Sequence, residues 1–259
     1  MSFEGKIGLV TGAASGMGKI IASRMAKLGM QVVTVDLNLS QLNKEAKKYN
    51  NISPYLCDIS SREEVDDLVK KIHAELGPVD SLVHAAALMP ALPILSSNPD
   101  ETMKLMKINY GGTVNLVHAL LPEMLKKNKG QAVFFGSIAG HVLNTGLGTY
   151  SATKSAVNTY IEILQHELKD SKVHIMLVEP NAVDTPLINQ ALGAEGPKNI
   201  KLSKESGRLA NPNKIIDAIE EGLRNKTKIL LPNLEAKLLI RFRRYFPRIL
   251  WKIIEKSNS

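Results

Sequence analysis

Short runs of consecutive apolar and β-branched residues alternate along the chain with longer stretches whose apolar positions recur every three or four residues. The runs are IGLV at 7–10, VVTV at 32–35, SLVH at 81–84, AVFF at 132–135 and HIMLV at 174–178. Each has strand length and an unbroken apolar character that suits a strand covered on both faces. The periodic stretches predict helices near 17–28, 41–48, 63–75, 101–127 and 149–168. Strand–helix alternation calls for right-handed crossovers. The expected fold class is therefore α/β, a doubly wound parallel sheet in three layers, α/β/α. Residues 184–212 break the pattern: they are polar and irregular, and a segment that long inside a compact domain suits a substrate-binding loop. No repeat, low-complexity tract or linker divides 1–233, so it is expected to be one domain followed by a tail over 234–259.

Composition narrows the class without changing the fold. Apolar residues make up 44% and charged residues 22% of 259 positions, which is ordinary for a globular chain and wrong for a disordered one. The single cysteine, Cys57, excludes an intramolecular disulfide and a cysteine-rich metal cluster, and no metal site is expected. It reads as a small core residue. The amino terminus lacks the pattern of a secretory signal, and no apolar run approaches the roughly 20 residues that span a bilayer. A cytoplasmic location is expected. The net charge is +8, of which 234–256 carries seven basic residues against two acidic ones. Basicity thus characterises the tail rather than the body.

The first candidate chemistry follows the first strand. In TGAASGMG, Gly12, Gly16 and Gly18 make a tight turn that feeds a helix, where backbone amides can approach a pyrophosphate at the positive helix end. Strand before and helix after make this a dinucleotide-binding turn in a Rossmann-like sheet rather than a plain glycine loop. Asp36 ends the second strand, where it can accept hydrogen bonds from adenosine ribose hydroxyls and repel a 2′-phosphate. The residue before Gly16 is Ser15, not a basic residue, so NAD(H) is expected over NADP(H). Asp58 reads equally well as an adenine contact or as a helix cap before 59–62.

The second candidate is YSATK, 150–154. Helical spacing puts Tyr150 and Lys154 on one face, about one turn apart. Alone, the pair reads equally as a core tyrosine beside a surface charge. With Ser137 thirteen residues earlier, after AVFF, and with the glycine turn and Asp36, the chain resembles the short-chain dehydrogenase/reductase family over about residues 6–231.

That resemblance implies an oxidoreductase acting between nicotinamide and a secondary alcohol or ketone. It implies Tyr150 as general acid/base and Lys154 as the holder of the nicotinamide ribose that lowers the tyrosine pKa. Ser137 would orient the substrate oxygen, Asn109 would support a water-linked proton path, and Thr185 would hold the carboxamide. It extends the cofactor contacts to Met17, Ile59, Ala85, Pro180 and Val183. The physics agrees with this division of labour. A phenol with a pKa of about 10 is a poor base near neutrality, and reaching 7 requires about 4 kcal/mol of phenolate stabilisation. Lys154 and an oxidised nicotinamide, both positive, can share it.

Two departures stand out. The family's Asn-Asn-Ala-Gly is His84-Ala85-Ala86-Ala87 here, which touches sheet stability and the room beside the cofactor; His84 reads as a hydrogen-bonded buried residue. The family's Pro-Gly is Pro180-Asn181, and asparagine tolerates the left-handed turn. The HAAA segment motivates an alternative, a dinucleotide-binding sensor or scaffold tethered by its tail. For the substrate, residues 88–95, His141, Val142, Leu143, Leu187, Ile188 and Leu192 line an apolar pocket, cover the sheet or meet a subunit. A small, apolar or lipid-like alcohol or ketone is preferred. The family resemblance also implies a homodimer or homotetramer packed through 101–127 and 149–168. In the tail, Leu238, Phe242, Tyr245, Phe246, Ile249 and Ile253 share a helical arc, with a basic arc beside it and Pro247 dividing the helix. The arc fits either peripheral membrane contact or docking on protein. Nucleic-acid binding is not expected, since no recognised binding fold accompanies the charge.

Overall fold

The structure, a computed structural model, describes residues 3–193, 195–232 and 234–258. Ala194 in the expected loop, Asn233 at the expected boundary and Ser259 at the end of the tail lie outside it, as do Met1 and Ser2. Seven strands form one parallel sheet: β1 (Ile7–Thr11), β2 (Gln31–Asp36), β3 (Ile52–Leu56), β4 (Ser81–His84), β5 (Gln131–Phe135), β6 (His174–Val178) and β7 (Ile229–Leu230), in the order β3-β2-β1-β4-β5-β6-β7.

Alternate side chains of the central strands build two cores. Leu9, Val33, Leu82, Phe134 and Leu177 face the layer of α3 (Arg62–Glu75), α5 (Gly112–Lys126) and α6 (Gly148–Glu167). Val10, Val32, Val83, Val133 and Met176 face α1 (Gly16–Lys27) and α8 (Pro212–Arg224), with Leu42 of α2 (Leu39–Ala46). Both faces are buried, which is why the strands read as unbroken apolar runs. Strand order reverses beside β1, so a crevice opens at the carboxyl ends of β1 and β4.

Several elements differ from expectation. The strand Ile52–Leu56 sits at the sheet edge, half buried, and carries Pro54, which an edge strand tolerates. The helix expected at 101–127 is α4 (Pro99–Met106), a π-helical turn (Lys107–Gly111) and then α5. The segment 184–212 is not irregular throughout: it holds a 3₁₀ turn (Pro186–Ala191) and α7 (Lys198–Glu205). Pro247 divides the tail as expected, into α9 (Leu234–Tyr245) and α10 (Pro247–Asn258). Leu250, Ile254 and Ala236 are the tail's buried side chains, and none belongs to the arc expected to dock.

Candidate active site

Gly12 leaves β1 at φ +67°, and a Cβ there would lie 2.7 Å from the Ala86 backbone nitrogen. The first turn therefore presses directly on the chain leaving β4, an approach that only glycine permits. A Cβ on Gly18 would sit 2.4 Å from the Gly12 carbonyl oxygen, so α1 starts flush against its own strand. Between the two, Ser15 is the N-cap of α1 and Gly16 its first residue, so the helix begins just beyond β1 with its first amides lacking intrahelical partners. The cradle thus fits a pyrophosphate.

Beside it is a hollow of about 400 Å³ bordered by Ser15, Lys19, Asp36, Asn38 and Gln41. The Asp36 carboxylate accepts the Ala14 N–H (3.1 Å) and the Asn38 N–H (3.0 Å), which holds the glycine turn against the end of β2. Lys19, absent from the sequence reading, is the one basic group in this wall, and the buried Glu45 pairs with it at 2.8 Å. Asp58 stands apart. Its carboxylate accepts the Ser60 N–H (2.9 Å), while Ser61 caps α3 by accepting the Glu64 N–H (3.3 Å). The cap is three residues beyond the one expected. Ile59 is buried, and a Cβ on Gly112 would meet its Cδ1 at 2.7 Å, so its side chain belongs to the core. Cys57 is buried there too, its thiol pushed up to about 12 by desolvation and by the nearby Glu64 and Asp58.

At the other end of the crevice, Ser137, Tyr150 and Lys154 come together, all buried, along a cavity of about 480 Å³. Met17, Ala85, Pro180, Val183 and Thr185, all expected as cofactor contacts, border the same cavity. The Lys154 ammonium donates to the Phe135 carbonyl (2.7 Å) and lies 5.9 Å from the centroid of the Tyr150 ring. Burial lowers its pKa to about 8. Burial also raises the Tyr150 phenol to about 12, partly opposed by a hydrogen bond with Ser137. Desolvation therefore dominates the phenol, and the lowering expected of Lys154 is not among the causes of its shift.

Ser137 is held from behind by Asn158, which accepts the Ser137 N–H (3.3 Å) and donates to its carbonyl (3.0 Å). Sequence reasoning missed Asn158, although Tyr150, Lys154 and Asn158 recur every four residues on one helix face. It also missed the pair behind it: His141 contacts Asn158 (3.2 Å) and the buried Glu179 (2.8 Å), and hydrogen bonding to Glu179 raises the imidazole pKa. Asn109, set on the π-helical turn, spends its side chain on the Leu88 backbone and the Thr153 hydroxyl. Among the described residues no hydrogen bond joins it to Lys154 or Tyr150.

His84 is fully enclosed, with Nδ1 2.8 Å from the Thr11 hydroxyl and Nε2 3.1 Å from that of Thr113. It ties β1, β4 and α5 together, so the HAAA departure has its own fastening. Of the apolar candidates, Met89, Val142, Leu143, Leu187 and Ile188 line the cavity. Ile94 and Leu95 are exposed, His141 turns to Glu179 and Leu192 packs on a neighbouring cluster.

The sequence profile of the family described as short chain dehydrogenase matches residues 6–195. The chain belongs to that family. It is 32% identical over 192 residues to an oxidoreductase of Staphylococcus saprophyticus described as uncharacterized, covering 72% of this chain and 82% of that protein. It is 26% identical over 261 residues to the dehydrogenase/reductase SDR family protein 7-like of Drosophila melanogaster, covering 97% of this chain and 80% of that one. A short-chain dehydrogenase/reductase from Burkholderia phymatum, solved in complex with NAD, superposes with a TM-score of 0.84 over 96% of each chain at 22% identity. The dehydrogenase is thus an oxidoreductase with a Rossmann-type parallel sheet, and none of its described helices is long and apolar enough to cross a membrane.

Proposed function

We propose that the protein is an NAD(H)-dependent dehydrogenase that interconverts a small apolar secondary alcohol and its ketone. The observation that carries this reading is the convergence of Ser137, Tyr150 and Lys154 on one wall of a cavity otherwise lined largely by apolar side chains, open towards the glycine turn. A nicotinamide bound there would supply the site that takes or gives the hydride. Gly12, Ser15, Gly16, Met17 and Gly18 would hold the pyrophosphate side, and Ala85, Pro180, Val183 and Thr185 the nicotinamide side. Asp36 favours a free ribose hydroxyl over a phosphate, and Lys19, the cation in that hollow, pairs with Glu45, which Lys48 shares.

Tyr150 exchanges the proton with the substrate oxygen, Ser137 fixes that oxygen, and Lys154 places a positive charge beside the ring. Asn109 supports this wall through its bonds to Leu88 and Thr153. Tyr150→Phe is expected to lower turnover at least a hundredfold on a panel of apolar ketones while NADH binding stays within about twofold. Unchanged turnover would remove Tyr150 from the role. The sensor or scaffold alternative loses its motive, because His84 refastens the sheet where the family's asparagines are missing.

A homodimer or homotetramer through α4, α5 and α6 fits the exposed Met103 and Ile163 on those helices, and light scattering gives the mass directly. The same reading keeps the body in the cytoplasm with no nucleic-acid partner.

A further inference from the structure

The tail is both roof and surface. Inwardly, Glu235, Leu239 and Ile254 border the cavity that holds Tyr150, and α10 lies against α7. The far end is latched: the Asn258 amide donates to Asn144 (2.8 Å) and Thr145 (3.0 Å), and its oxygen accepts the Asn199 N–H (3.3 Å). Outwardly, the arc that sequence reading singled out finds no cover. Tyr245 is 71% exposed and Ile253 54%, with Leu238, Phe246 and Ile249 exposed beside them. Arg241, Arg244, Arg248 and Lys252 are exposed among these apolar groups.

Three occupants suit an apolar face of this kind: a second copy, an acidic protein or a lipid surface. A second copy meeting this face through a two-fold axis would set a segment of net charge +5 against its twin, at a Coulombic cost. An acidic partner would satisfy the cations, but the exposed apolar groups run as a strip along both tail helices with a basic strip beside it, an arrangement that an extended planar surface meets along its whole length. Aliphatic and aromatic groups that penetrate a few ångströms, with arginine and lysine at headgroup level, are what an anionic lipid surface takes up.

We propose that helices α9 and α10 dock on an anionic lipid surface while bordering the catalytic cavity, so that the enzyme draws a membrane-dissolved alcohol or ketone from that surface. The substrate half of this inference rests on the apolar-pocket reading above; the docking half does not. Binding is reported by Trp251, the sole tryptophan, which lies on α10 with the Arg243 guanidinium 5.6 Å from its ring.

The test uses the full chain, with vesicles of phosphatidylcholine alone and with added phosphatidylglycerol, read by co-sedimentation and Trp251 emission. The expected result is binding and a blue shift with the anionic vesicles, weakened by salt. Arg241→Gln/Arg248→Gln/Lys252→Gln should weaken it about a hundredfold, at about tenfold or less per charge. Ile249→Ser/Ile253→Ser should weaken it at least tenfold. Both variants should keep the wild-type melting temperature and turnover of a water-soluble ketone. Absence of vesicle binding, equal binding to neutral vesicles, or a fall in solution mass in the serine variant would each overturn the docking proposal. If docking holds but added vesicles leave turnover of a membrane-dissolved ketone unchanged, the substrate half fails. Loss of all ketone turnover with docking intact would instead count against the proposed function.

Discussion

His84 makes the sheet's fastening sensitive to acid. Its imidazole is completely enclosed, with a threonine hydroxyl on each ring nitrogen and the Phe134 ring edge-on at 6.2 Å. Desolvation, with a smaller contribution from the Lys154 charge, lowers its pKa from 6.5 to about 3. The unfolded chain therefore binds a proton that the folded chain refuses. Stability from this group is fully present above pH 6.5 and is lost as pH falls towards 3. With pKa values of 6.5 unfolded and about 3 folded, the loss between pH 7 and pH 4 is about 3 kcal/mol, and about 2 kcal/mol is gone by pH 5.

His84→Asn removes the titration but keeps one acceptor and two donors between Thr11 and Thr113. At pH 7 the variant should be somewhat less stable, because the smaller side chain packs less well against Phe134. The assay is urea unfolding of both proteins at pH 7, 5 and 4 and at equal protein concentration. Other titrating groups are common to both and cancel in the comparison. The difference between the two should move by about 3 kcal/mol in the variant's favour from pH 7 to pH 4. A difference that stays constant over this range would refute the reasoning.

Two further perturbations probe the site. Lys154→Met should lower kcat for alcohol oxidation by more than it lowers kcat for ketone reduction, because only the protonated lysine, 5.9 Å from the centroid of the Tyr150 ring, opposes desolvation of the phenolate. The same change should flatten stability against pH: the wild-type lysine, at about 8 folded against 10.5 unfolded, gains stability as pH rises between those values. Asp36→Ala should reduce the preference for NADH over NADPH at least tenfold in a fluorescence titration. It should also weaken NADH itself, because the Ala14 N–H loses its acceptor.

Where the sequence was legible, one physical signal sufficed. The five long-buried strands read as apolar runs because helices cover both faces, and the tight strand-to-helix turn was legible because Gly12 and Gly18 stand where backbone meets backbone. Illegible elements lacked such a signal or carried a mixed one. The edge strand Ile52–Leu56, half buried and interrupted by proline, showed only as a third strand ending before Asp58 and without an apolar run of its own, and Ile229–Leu230 is only two residues long. The helix Pro212–Arg224 lies outside the expected elements even though Asn211 caps it and Ile215, Ile216, Ile219 and Leu223 mark one face. In the tail most of the expected apolar arc is exposed, and Ala236, Leu250 and Ile254, off that arc, are the buried side chains among the described residues. The bonds of Asn158, His141 and Glu179 join residues up to 38 positions apart, so no local spacing reveals the pair behind the serine.

The electrostatics of the catalytic wall carry a further step. Burial acts on both partners, and it moves them in opposite directions: the phenol rises to about 12 while the ammonium falls to about 8. The lysine thereby becomes the more acidic of the two, and below pH 8 the resting pair is a neutral phenol beside a positive charge. That state is a ready proton donor, since an alkoxide developing on a ketone oxygen accepts the phenol's proton downhill, with Ser137 holding the oxygen in place. Acting as a base asks more of the same wall, because the phenolate must first overcome its own desolvation. A positive Lys154 favours the phenolate, and does so only while it keeps its proton. On the proposed function the resting wall is accordingly set for giving a proton, and alcohol oxidation should depend on Lys154 more steeply than ketone reduction does.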